Sequence, residues 1–249
     1  MCCRAPSWPV RAGPCCGWCR GTGERRVFSQ PSRGLRCAGR LVRARPRHSH
    51  QVDSSCARSD QNYPSILAAS KKWRLTDVSC SPARTAALTG SQGSLTPQVE
   101  ALTRRTDVVT VTVGGKDLGF SNNPATCAKP AATDPTGNPC QAFFTGDGTD
   151  QPAEQINNIT SNISSSLQEI RRRAPRAKVV VVGHPDLFPD NGVGCTAATV
   201  PLAAGDFACL RDTEKKLNDM PASQAHAGGA RYIDTYTPTI GHDMCRPAG

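Results

Sequence analysis

Val108-Val109-Thr110-Val111-Thr112-Val113 is an unbroken run of β-branched residues, and Gly114-Gly115 ends it. A strand with one wet face alternates apolar and polar side chains. A run without that alternation must be covered on both faces, as in the middle of a parallel sheet. Lys178-Val179-Val180-Val181-Val182-Gly183 reads the same way. Between them, residues 152–173 place Ile156, Ile159, Ile163, Leu167 and Ile170 at the three-and-four spacing of one helical stripe. Arg171-Arg172-Arg173 suits the negative end of that helix dipole and reads as a solvated terminus. Strand, helix and strand in this order make a right-handed βαβ unit, so the fold class is α/β with a parallel sheet. In such sheets ligands are handled at the carboxyl ends of the strands, which draws attention to Lys116 and Asp117.

Other elements are shorter. Tyr63 to Ser70 reads as a helix with Pro64 in its first turn. Leu75 to Cys80 is a strand, Thr85–Leu88 opens a helix, and Pro97 to Leu102 is a helix with Val99 and Leu102 on one face. Residues 121–150 read as loop-rich, with several prolines, and 186–205 as loop. Residues 207–227 form a helix weakened by Pro221, and Arg231–Asp234 is a last strand.

The net charge of +10 does not describe this pattern. Residues 1–50 hold eleven Arg against Glu24 alone, whereas residues 51–249 hold nineteen basic and nineteen acidic side chains. Nucleic-acid binding is therefore a reading of the basic tail and not of the domain. The boundary is placed between an irregular basic segment, 1–51, and a folded domain, 52–249. The first segment is rich in Arg, Pro, Gly, Cys and Ser and has no helical or strand period. Cys15-Cys16-Gly17-Trp18-Cys19 lacks further ligands at finger spacing, so no metal is expected there. Beyond it Cys56, Cys80, Cys127, Cys140, Cys195, Cys209 and Cys245 are scattered, with no Cys-x-x-Cys. Scattered cysteines favour disulfides and an oxidising compartment, although 1–30 lacks the apolar core of an export signal. No run is long and apolar enough to span a membrane.

Several blocks occur in the order seen in one family. They are Cys56-x-Arg58-Ser59 with Tyr63-Pro64, then Asp77-Val78-Ser79-Cys80-Ser81, then Asp107 to Phe120. Ala174-Pro175-x-Ala177 follows, leading into Val179–Gly183 and His184-Pro185, and Tyr232-Ile233-Asp234 with Gly241-His242-Asp243-x-Cys245 closes the series. Over 52–249 the chain resembles secreted actinobacterial esterases and lipases of the SGNH (GDSL) type. The resemblance implies a three-layer α/β/α fold with a flavodoxin-like parallel sheet, cleaving carboxylic esters without metal or cofactor. It implies a serine nucleophile after the first strand, a histidine base and an oxyanion hole of serine N–H, glycine N–H and asparagine side chain. His242 takes the position of the base; His184 reads as a loop residue and His226 as surface. The carbonyl around Thr239 takes the place of the usual Asp as orienting group, Asp234 and Asp243 being at the wrong offset. The resemblance also implies the pairs Cys56–Cys80, Cys127–Cys140 and Cys195–Cys245, with Cys209 left over or competing for Cys195. The resemblance implies a secreted monomer that acts on small-molecule or lipid esters.

Three departures bear on activity. The block Gly-Gly-Asn-Asp is Gly114-Gly115-Lys116-Asp117, so a mobile cation replaces a fixed neutral donor. Pro82 stands where the family supplies its glycine N–H, and proline has none. No Gly-Asp-Ser occurs in the chain. One permitted spelling of Cys37–Arg43, with CGA at Arg40 and GTA at Val42, encodes Ala-Leu-Gly-Asp-Ser-Tyr-Ala when read one base later. Residues 1–51 thus read either as a disordered basic tail or as a frameshifted translation of the export signal, first strand and nucleophile block, leaving the sheet incomplete at its first strand. The functional readings are an SGNH ester hydrolase, a catalytically inactive secreted relative, and, remotely, nucleic-acid binding through the tail.

Overall fold

Two strands fix the sheet, and a third completes it from an unexpected place. The structure is a computed structural model that describes residues 34–39, 50–119, 123–196 and 199–246. The chain separates into two compact units, Met1–Pro31 and Ser32–Gly249, and the described residues all belong to the second. The strands are β1 (Gly34–Gly39), β2 (Gln51–Asp53), β3 (Arg58–Ser59), β4 (Arg74–Asp77), β5 (Val108–Thr112), β6 (Lys178–Val182) and β7 (Arg231–Ile233). β2 and β3 form a small antiparallel pair. The other five make one parallel sheet in the order β4-β1-β5-β6-β7.

β1 lies inside the segment read as irregular, yet it occupies an interior position. Leu35 to Gly39 pair with β5, and Gly34 to Cys37 pair with β4. The sheet is therefore not missing its first strand, and the folded unit reaches further toward the N-terminus than residue 52. Gly34-Leu35-Arg36-Cys37-Ala38-Gly39 has no apolar alternation to announce it. Its neighbours supply the pairing that its own sequence does not advertise. The motif at Cys15–Cys19 and the rest of the proposed frameshift, beyond these strand residues, lie outside the described residues.

Every residue of β5 is buried, and its two faces meet different helices. Val109 and Val111 join Val179 and Val181 against the stripe of α4 (Gln151–Arg173) and against Leu217 and Met220 of α5 (Asp206–Ala227). Val108 packs instead with Ala68 of α1 (Tyr63–Lys71). On that same side the Tyr63 hydroxyl reaches Thr110 Oγ1 at 3.1 Å. Helices on both faces of a parallel sheet are the three-layer arrangement that the run of β-branched residues requires. Pro221 lies buried inside α5, which continues past it to Ala227.

The segment 121–150 is not all loop. It holds α2 (Asn123–Ala131) and α3 (Pro139–Thr145). Of the prolines in this stretch, Pro130 sits near the end of α2 and Pro139 in the first turn of α3. The buried carboxylate of Asp206 accepts from the amides of Cys140 and Gln141 at 2.9–3.1 Å, so the α3 N-terminus is satisfied from a distant part of the chain. Among the described residues there are three disulfides, Cys56–Cys80, Cys127–Cys140 and Cys195–Cys245, and Cys209 is a free thiol. The last two border a second apolar cluster around Phe188, Leu202 and Phe207. Among the described residues no helix is long and apolar enough to cross a membrane.

Candidate active site

The strand order reverses between β1 and β5, because the chain runs from β1 to β4 on one side and then returns to β5 on the other. The crevice outside the carboxyl ends of strands at such a reversal is where open α/β sheets hold ligands. Four described segments leave the carboxyl ends of this sheet: 78–84 after β4, 113–119 after β5, 183–190 after β6 and 234–245 after β7. Residues 40–49, which follow β1 and where the shifted reading expects its Gly-Asp-Ser, lie outside the described residues.

The turn after β5 is closed by Asp117 N and Leu118 N, which both donate to Gly114 O, at 3.0 and 3.2 Å. Gly114 has φ +110°, and a Cβ there would stand 3.0 Å from Leu217 Cδ1, so the position is held for glycine twice over. Lys116 is partly exposed in this turn. Asp117 reaches across to the neighbouring loop. Its carboxylate accepts from Thr85 N at 2.9 and 3.1 Å and from Thr85 Oγ1 at 2.9 Å. Burial raises the Asp117 carboxyl above its usual range, and the Thr85 hydrogen bonds oppose that shift. Asn162 of α4 adds a bond to Thr85 Oγ1 at 3.2 Å.

Pro82 is exposed in a turn closed by Ala83 N donating to Cys80 O at 3.0 Å. The amides around it are all spoken for. Ser81 N donates to Cys56 O, Ala83 N to Cys80 O, Arg84 N to Gln92 Oε1 and Thr85 N to Asp117, while Pro82 has no N–H. From Ser81 to Thr85 no main-chain donor is left over for an oxyanion.

His242 is exposed on the segment after β7, and its amide donates to Thr239 O at 2.9 Å. The Thr239 carbonyl therefore serves the backbone of His242. The Thr239 hydroxyl donates to Thr235 O at 2.7 Å and accepts from Asp186 N at 2.8 Å. Asp234 caps the 3-10 turn Thr237–Thr239 by accepting from Tyr236 N and Thr237 N. Asp243 accepts from Cys245 N at 2.8 Å. Both carboxylates are thus engaged with local backbone. His184 is a loop residue just after β6 and a buried one: it is 2% exposed, with its N–H and C=O both held by the Asn218 side chain.

The residues that hold the His242 segment escaped the sequence reading. Asp186 Oδ2 accepts from Gly241 N at 3.2 Å, and Leu187 O accepts from Met244 N at 3.0 Å. Behind them Glu214 of α5, fully buried, accepts from Leu187 N at 3.1 Å. Burial pushes the Glu214 carboxyl up to about 8, against the pull of the Leu187 and Phe188 amides. The available signal was an acid between Leu210 and Leu217 on the inward stripe of a helix. Among the described residues no cluster of three or more His, Cys, Asp or Glu side chains could hold a metal ion.

Comparison with known proteins agrees with this architecture. The GDSL-like Lipase/Acylhydrolase family is matched over residues 44–249. A Streptomyces coelicolor protein named Lipase 2 is 36% identical over 197 residues, covering 78% of this chain and 66% of that relative. A Streptomyces scabiei protein named Esterase is 29% identical, covering 76% of this chain and 64% of its own length. The chain thus spans just under two thirds of the length of the curated relatives it matches. The crystal structure of an extracellular lipase from Streptomyces rimosus superposes with a TM-score of 0.68 at 27% identity, covering 87% of this chain and 86% of that one. The crystal structure of a phospholipase A1 from Streptomyces albidoflavus shares the fold, with a TM-score of 0.66 at 22% identity, over 86% of this chain and 84% of that one.

Proposed function

Because the chain belongs to the GDSL-like lipase/acylhydrolase family, we propose that its scaffold serves a secreted, monomeric carboxylic ester hydrolase of Ser-His type. The observation that carries this reading is that the His242 segment after β7 and the Gly114–Asp117 turn after β5 both leave the carboxyl ends of strands in one parallel sheet, on the same side of the strand-order reversal. In the proposed mechanism His242 takes the proton of a serine hydroxyl as that oxygen attacks the ester carbonyl. It then returns the proton to the departing alkoxide, and a second cycle with water frees the acid. The serine is the one encoded in the shifted frame after β1. Substrates are small-molecule or lipid esters, and no metal takes part. Export is supported by three disulfides and by likeness to an extracellular lipase.

A second reading, a catalytically inactive secreted relative, is favoured by a specific observation for the chain as written. It contains no Gly-Asp-Ser, carries Lys116 in place of asparagine, and has no uncommitted amide from Ser81 to Thr85. A p-nitrophenyl ester assay separates the two. The chain translated in the shifted frame up to residue 51 is expected to turn over, and its His242→Ala variant is not. The protein as written is expected to match that variant. Equal rates from the shifted-frame protein and its His242→Ala variant would sink the hydrolase reading.

A further inference from the structure

The His242 segment is held from beneath by acids that the ester chemistry does not use. Asp186 is 2% exposed and Glu214 is fully buried. Each spends one carboxyl oxygen on a backbone amide: Asp186 Oδ2 on Gly241 N, and Glu214 Oε2 on Leu187 N. The second oxygen of each, Asp186 Oδ1 and Glu214 Oε1, is buried without a hydrogen-bond partner among the described residues. Two orphaned carboxyl oxygens, on residues linked through consecutive amides, are costly as two anions and tolerable when one group keeps its proton.

We propose that Asp186 and Glu214 act as a one-proton carboxyl pair that positions His242, holding the 239–244 segment while Glu214 is protonated and loosening it when that proton leaves. The inference rests on reading His242 as the general base, and it assigns Asp186 and Glu214 positioning roles only. The connection is short. Asp186 binds Gly241, the residue before His242, and its amide donates to the Thr239 hydroxyl. The Thr239 carbonyl binds the His242 amide, and Leu187 O binds the Met244 amide. Cys195–Cys245 ties the far end of the segment. On ionisation the Glu214 proton passes to solvent and no covalent bond changes. A second buried negative charge then adds to that of Asp186, whose field already acts on Glu214, and the segment anchored to Asp186 is what can yield.

Among the described residues no cation is placed to offset the second charge. Glu214 is faced by Asp186, by the Leu187 and Phe188 amides and by Tyr236. Asp186 is faced by the Gly241 amide, Asp243, Asp190 and Tyr236. Lys215 is bound to Asp190, the Tyr236 hydroxyl donates to Asp190, and Arg246 reaches Asp243 at 3.7 Å. Burial, with the Asp186 charge adding to it, pushes the Glu214 carboxyl from 4.5 to about 8. The native state therefore keeps a proton that the unfolded chain releases. The stability this group contributes is full below 4.5 and is lost as pH rises through about 8.

The test is amide hydrogen exchange followed by NMR on the full chain, read as protection factors so that the intrinsic pH dependence of exchange cancels. Between about pH 7 and pH 9, protection at Gly241 and Met244 is expected to fall about tenfold or more. Glu214→Gln, which cannot ionise, should hold protection level over that range. Asp186→Asn keeps an acceptor for Gly241 while removing the opposing charge, so it should also be level, and it serves if Glu214→Gln does not fold. A level profile in the unaltered chain, or the same fall in both variants, would overturn the proposal. The readout needs no turnover, so a failed ester assay with the expected exchange profile would discard the hydrolase reading and leave the carboxyl pair standing.

Discussion

The two flanks of the sheet edge differ in what their hydrogen bonds are used for. On the His242 flank, Asp186, Leu187, Thr239 and Cys195–Cys245 hold the backbone of one segment while the imidazole stays exposed. On the oxyanion flank, the amides of Ser81, Ala83, Arg84 and Thr85 all turn to acceptors within the fold, and Pro82 has none to offer. A buried backbone donor stabilises a fold by finding a partner, whereas an oxyanion hole needs donors that remain unpaired until the transition state. Folding and catalysis therefore compete for the same N–H groups. In the proposed hydrolase the His242 flank satisfies both demands because a side chain would carry its chemistry, and the flank proposed for the oxyanion satisfies only the first.

The largest expected effect comes from returning a side-chain donor to the weaker flank. In protein translated in the shifted frame through its Gly-Asp-Ser, Lys116→Asn places a neutral donor in the turn closed by Gly114. One oxyanion donor is worth about 10²–10³ in kcat, or roughly 2.7–4 kcal/mol. The gain is expected in kcat toward a p-nitrophenyl ester with little change in KM. No gain would mean that the Gly114–Asp117 turn does not border the reacting carbonyl, and the comparison of flanks would lose its functional meaning.

What could be read beforehand divides along similar lines. β5, α4 and β6 were legible because their signal is local: a β-branched run, a stripe of isoleucines and leucines, and a second valine run. β1 was not, since Gly34–Gly39 becomes a strand through the backbone edges of β4 and β5 on either side. α3 was hidden by Pro139 and the prolines before it, and the Asp206 that caps it lies 66 residues from Cys140. Motif order named the candidate base, His242. Glu214 and Asp186 had no motif, because their burial depends on which face of α5 turns inward and on where the chain goes after β6.

A smaller effect is expected from cutting the covalent brace of the stronger flank. Cys195–Cys245 closes a separation of 50 residues, against 24 for Cys56–Cys80. Replacing Cys195 and Cys245 together with alanine should cost about 2–4 kcal/mol in urea unfolding, most of it through the freed unfolded chain. Exchange protection at Met244 should fall with it, whereas protection in β5 should fall only in step with global stability. Uniform loss across both would show that the His242 segment has no local hold beyond that of the whole domain.

The smallest of these effects probes the bond that joins the oxyanion flank to itself. Asp117→Ala removes the acceptor of both Thr85 N and Thr85 Oγ1, and Thr85 is fully buried. Asn162 still reaches the hydroxyl, so the amide is the group left stranded. An unsatisfied buried donor costs about 1–3 kcal/mol, measurable as a lower urea midpoint at unchanged slope. The same change frees an N–H beside Pro82, within the segment whose donors are otherwise spent. If competition for N–H groups is what separates the flanks, Asp117→Ala in the shifted-frame protein carrying Lys116→Asn should lose stability and yet lose less than tenfold in kcat. Asp117→Asn keeps an acceptor for Thr85 and should be nearly neutral in both. A loss of kcat far beyond tenfold in Asp117→Ala alone would instead make the Asp117–Thr85 bond the element that aligns the two loops, with alignment rather than donor supply limiting this flank.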